Sequence, residues 1–141
     1  MTPLDILAIE HACEKLCRLF ANYSDQSAYR DICNLLTEDG IYCRPSVPDV
    51  EIIGREALYE AFLKRPPLVI RHIVSNCVIT VESPTTATGF SYIQYLAAPD
   101  KGEPLPREAG PFNIGEFRDR YVLTDDGWKF SERRGQLALT R

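Results

Sequence analysis

The chain has no CxxC pair, only two histidines, one methionine and one tryptophan, no long apolar run and no excess of positive charge. Five cysteines, an odd number without paired spacing, argue against both a disulfide framework and a zinc knuckle. His11 and His72 alone are too few for a histidine-rich metal site, so no metal is expected. Apolar runs too short for a bilayer exclude a membrane-spanning reading. Sixteen Lys and Arg against twenty Asp and Glu leave a net charge of -4, which provides no attractive field for a phosphate backbone, so nucleic acid is not an expected partner. The sequence contains no GxGxxG, P-loop, GxSxG or HExxH motif, which removes dinucleotide, nucleotide, serine-hydrolase and zincin readings and points to chemistry without a cofactor. The Met-Thr-Pro-Leu-Asp start lacks a basic region and an apolar stretch, so a cytoplasmic location is expected.

What is present is a change of period. Thr2, Pro3 and Asp5 form a helix start with a capping box, and Ile6, Ile9, Cys13, Leu16, Cys17 and Phe20 follow at helical spacing, with fraying expected near Asn22 to Ser24. A second helix is read through Tyr29, Ile32, Cys33 and Leu36 to a stop at Asp39-Gly40, with a short strand at Ile41 to Arg44. A third helix follows Gly54, presents Leu58, Ala61 and Phe62 inward, and ends at Pro66-Pro67. Alternation then predicts four strands: Leu68 to Val81, Thr86 to Ala98, Phe112 to Leu123 and Trp128 to Leu139. The Pro- and Gly-containing segment 99–111 reads as a loop with the makings of a lid. Helices first and strands second imply one α+β domain over residues 1–141: a cone-shaped, curved antiparallel sheet covered by three N-terminal helices and enclosing an apolar cavity.

His72 is the most informative residue. Strict alternation places it on one strand face with Ile70, Val74, Asn76 and Val78, where it is either a cavity histidine able to move protons near neutral pH or a buried imidazole bonded to a neighbour. Asp25 is either a turn aspartate or the partner that fixes the His72 tautomer. Tyr23 and Tyr29 are candidates to donate to a substrate oxygen or to pack, and Asn76 to hold a carbonyl or satisfy the sheet. Phe117, Asp119 and Tyr121 share a face with Gly115, and Asp119 is expected to pair with Arg133 or Arg134 on the next strand. Tyr92, Tyr95 and Phe117 are read as an exposed aromatic sheet face that favours a homodimer.

Several blocks occur in a familiar order: Asp25-Gln-Ser-Ala-Tyr29, Leu35-Leu36-Thr37-Glu38-Asp39-Gly40, Gly54-Arg55-Glu56-Ala57-Leu58, Arg71-His72-Ile73-Val74-Ser75-Asn76 and Gly115 to Asp119 with Asp126-Gly127-Trp128. Together they resemble SnoaL-like domains of the nuclear transport factor 2-like superfamily, to which scytalone dehydratase, ketosteroid isomerase and bile-acid dehydratase belong. The resemblance implies the cone fold. It also implies a cofactor-independent dehydratase (lyase) or isomerase that acts on a hydrophobic oxygenated small molecule of polyketide, steroid or terpenoid type, with Asp25 and His72 in the catalytic roles. One departure is Phe20, where related domains often carry a tyrosine. The alternative from another class is a non-catalytic ligand-binding protein, or a scaffolding subunit resembling the small subunit of ring-hydroxylating dioxygenases.

Overall fold

Thr2 begins the first helix as its sequence requires: its hydroxyl accepts from the Asp5 amide at 3.1 Å, and its own amide donates to the Asp5 carboxylate at 2.8 Å. The computed structural model describes all 141 residues. Helix α1 spans Pro3–Asp25 and α2 Tyr29–Cys33, followed by strands β1 Leu36–Cys43 and β2 Ile52–Ile53. Helix α3 covers Arg55–Leu63, and four long strands complete the chain: β3 Leu68–Ser83, β4 Thr86–Pro99, β5 Asn113–Thr124 and β6 Gly127–Thr140. The strands form one curved sheet in the order β2-β1-β6-β5-β4-β3, with α1 lying against it, so the architecture is α+β. No helix is long and apolar enough to cross a membrane.

The sequence pattern predicts the four long strands to within two residues, but the segment after α2 differs. The second helix stops at Cys33, and Leu36 to Gly40, expected to be helical, belong to β1. Moreover, β1 runs parallel to β6, with Leu36 opposite Phe130 and Ile41 opposite Glu132, so the sheet is mixed at this edge. The parallel pairing brings together residues far apart in sequence, and Leu36 is pulled into the core at 1 % exposure. Helix α1 also outlasts its expected fraying point. Arg65 reaches across to its last turn and donates to the Ser24 hydroxyl at 2.9 Å and the Ser24 carbonyl at 2.6 Å, satisfying groups that a helix end otherwise leaves open.

Strict alternation fails in the middle of β3. Ser75 pairs with Tyr92 but Val78 pairs with Phe90, so one extra residue is inserted, and Asn76 takes φ +50°. Before this bulge Ile70, His72 and Val74 point inward; after it Cys77, Ile79 and Val81 do, while Val78 is exposed. The outer face also carries fewer aromatics than expected. Phe117 is buried and Tyr95 points into the cavity, which leaves Tyr92 as the exposed member of that trio.

Gly135 sets the closest approach in the sheet. A β-carbon there would come within 2.7 Å of Pro45 and 2.8 Å of the Cys43 carbonyl, so glycine is what lets the chain leaving β1 fold over β6 and wall the cavity.

Candidate active site

The concave face of the sheet, α1 and α3 enclose a cavity of about 400 Å³. Its walls are largely aromatic: Phe20 lies 5.3 Å from Tyr42 and 6.4 Å from both Phe62 and Phe117 between ring centroids.

His72 opens onto this cavity from β3, and Asp25 stands behind it at the end of α1. The Asp25 carboxylate accepts twice: Oδ1 lies 2.6 Å from His72 Nδ1, and Oδ2 takes the His72 backbone N–H at 3.0 Å. Both side chains are well covered, at 19 % and 10 % exposure. A carboxylate can only accept, so Nδ1 carries the ring hydrogen and Nε2 keeps its lone pair for whatever occupies the cavity. Because the second bond goes to the strand backbone, Asp25 fixes the position of the imidazole as well as its tautomer. Arg65, by closing the last turn of α1, holds Asp25 in register with β3. The ring of Tyr95 tilts against that of His72, centroid to centroid 5.2 Å. Burial pushes the Tyr95 hydroxyl above its ordinary value, so it remains a hydrogen-bond donor on the cavity wall.

A second acid–base pair lies deeper. Asp119 Oδ1 is 3.4 Å from Arg133 Nε, and each side chain is 1 % exposed. The carboxylate is served mainly from elsewhere: Oδ2 accepts from the Tyr121 hydroxyl at 3.1 Å and from Cys17 Sγ at 3.7 Å. Burial pushes the Asp119 carboxyl up to about 7, with Arg133 pulling the other way. The neighbouring Cys77 thiol, aided by Arg133 and Tyr121, works to hold the Cys17 thiol below its ordinary value against the upward push of burial. Burial works to lower Arg133, but Asp119, Cys17 and the two tyrosines outweigh it and keep the guanidinium charged.

Of the residues selected from sequence, His72 and Phe117 line the cavity and Asp25 supports His72. Asp119 pairs with Arg133, one of the two arginines expected, but it and Tyr121 sit behind the wall formed by Cys17 and Arg133. The remaining three lie elsewhere. Asn76 is turned outward by the bulge, Tyr23 packs at the core edge, and Tyr29 stacks on Phe62 at 5.3 Å from outside the cavity. Sequence reasoning missed Tyr95, Arg44 and Arg65 as cavity residues. The two arginines each precede a proline at the end of an element, where periodicity carries no signal.

The architecture is thus a curved sheet and helices with a partly buried imidazole–carboxylate pair at a largely apolar hollow. Residues 5–134 match the SnoaL-like domain, and the chain belongs to that family. Among solved structures, a candidate scytalone dehydratase from Novosphingobium aromaticivorans aligns with a TM-score of 0.84 at 21 % identity, over 99 % of this chain and 91 % of the other. A hexachlorocyclohexane dehydrochlorinase (LinA, type 2) aligns with a TM-score of 0.83 at 17 % identity, over 99 % and 92 %. A nuclear transport factor 2-like protein with a cystatin-like fold, also from N. aromaticivorans, gives 0.74 at 18 %, over 95 % and 84 %. These likenesses establish the shared fold. No curated protein matches the chain in sequence.

Proposed function

We propose that the protein is a cofactor-independent lyase of the dehydratase type, acting by general acid–base catalysis on a hydrophobic, oxygenated small molecule. The observation that carries this reading is the doubly bonded Asp25–His72 pair, whose remaining ring nitrogen serves the cavity. His72 Nε2 takes a proton from the carbon next to a carbonyl. The electrons of that C–H bond form the new double bond as the hydroxyl on the adjacent carbon leaves, and the imidazolium returns its proton to give water. Asp25 stabilises the imidazolium in between. Tyr95, protonated and on the same wall, is placed to donate to the carbonyl oxygen as charge builds there. An isomerisation uses the same first step, with the proton returned to a different carbon.

The test is a panel of apolar β-hydroxy carbonyl compounds incubated with the protein in D2O, with water loss and C–H exchange followed by NMR. Turnover that falls by about 10² to 10⁴ in His72→Ala supports the reading; turnover indifferent to that change sinks it. We propose that the homodimer expected from sequence forms through the outer sheet face, a reading supported by the exposure of Ile73, Val78 and Tyr92. Sedimentation of Val78→Glu, which should shift a dimer toward monomer, checks it.

A further inference from the structure

Charge is distributed unevenly around the cavity. Three arginines line it, Arg44, Arg65 and Arg133, and no carboxylate does: Asp25 stands behind His72 and Asp119 behind Arg133. Arg44 and Arg65 each spend a nitrogen on a carbonyl, that of Ala61 at 3.0 Å and that of Ser24 at 2.6 Å, yet both guanidinium carbons lie within 6 Å of the Phe62 ring centre, on the cavity side. Arg133 is different. Its guanidinium is 99 % buried, and none of Nε, Nη1 and Nη2 has a hydrogen-bond acceptor. It is sandwiched by the faces of Phe117, Phe20 and Phe130, at 3.9, 4.6 and 4.8 Å, so its position is fixed by rings and its donors are left over.

A buried guanidinium with unused donors carries a large desolvation cost unless something supplies acceptors. Asp119 supplies little. Its nearest approach is long and outside hydrogen-bonding geometry, and its other oxygen already serves Tyr121 and Cys17. The planar fork of arginine matches a carboxylate or a phenolate, and the surrounding rings match a flat apolar body.

We infer that the cavity takes an organic anion, a planar unsaturated or aromatic acid, with its carboxylate or phenolate on Arg133 and its apolar body directed toward His72. Arg44 and Arg65 add positive potential to the walls. This deepens the proposed function, since it rests on the same cavity being the substrate site, and it narrows the substrate from oxygenated molecules in general to acidic ones.

Calorimetric titration with trans-cinnamate and with its neutral twin cinnamamide isolates the charge. The wild-type protein should bind cinnamate at least tenfold more tightly than the amide, and high salt should narrow the gap. The double variant Asp119→Asn, Arg133→Met removes both buried charges together and so avoids stranding one; in it the preference should shrink to about twofold or less. Arg44→Gln should weaken cinnamate binding severalfold without affecting cinnamamide. Equal or tighter binding of the amide, no binding of cinnamate at millimolar concentration, or a preference that survives the double variant would overturn the inference. The catalytic reading fails separately. Acid preference in a protein whose turnover ignores His72 keeps the anion site and loses the lyase; turnover of neutral substrates without acid preference does the reverse.

Discussion

The cavity carries two acid–base pairs, one toward α1 and one in its floor, and they are built on opposite terms. In the Asp25–His72 pair every oxygen of the acid has a partner, and the strand backbone itself takes part. In the Asp119–Arg133 pair the two groups are more deeply buried but meet poorly, and all three nitrogens of the base are without an acceptor. Full satisfaction suits a group that must hold one orientation through a proton transfer. Incomplete satisfaction suits a group that waits for an external acceptor. Burial alone therefore does not mark a site; the number of hydrogen bonds left over says more.

The contrast can be broken in four graded ways. The largest effect is expected at the satisfied pair: Asp25→Asn frees the imidazole tautomer and should lower turnover by about 10² to 10⁴ while the fold survives, read by kinetics alongside circular dichroism. Next, Arg133→Met alone leaves the buried Asp119 without its cation and should destabilise the fold in urea unfolding more at pH 8 than at pH 5, where the acid holds its proton; adding Asp119→Asn should remove that pH dependence. Third comes pH. The folded protein keeps the Asp119 proton up to about 7, whereas the unfolded chain releases it near 3.8, so between these values the folded state holds more protons. This contribution to stability is whole below pH 4 and is lost as pH rises to 7, with a slope of at most about 1.4 kcal/mol per pH unit that should flatten in Asp119→Asn. Smallest of all, Glu56→Gln removes the exposed Arg30–Glu56 pair at 2.7 Å and should leave the unfolding midpoint where it was, setting the baseline for the buried pairs.

Much of the fold is legible in the sequence, and the parts that are not have a common cause. The capping box at Thr2, the apolar stripe of α1 and the alternation of β5 are local patterns, and the structure follows them. Asp25 and His72 stood out because an acid at a helix end and a histidine in a strand are informative residue types. What escaped was set by non-local pairing: β1 became a strand because β6, some ninety residues on, lies parallel beside it, and Arg44 and Arg65 became cavity residues because the ends of β1 and α3 converge there. The open donors of Arg133 were out of reach for the same reason, since a count of unmade hydrogen bonds exists only in three dimensions.

The extra residue at Asn76 divides β3 into two halves written in opposite phase. Upstream, even numbers face inward and carry His72; downstream, odd numbers do and carry Cys77, Ile79 and Val81 toward the core. Asparagine tolerates the left-handed turn that this shift needs better than most residues do. Its removal would amount to a frameshift in the folded object: either the half that carries His72 or the half that carries Cys77, Ile79 and Val81 would read out its residues on the wrong side. A deletion of one residue here should therefore be worse than any single substitution nearby.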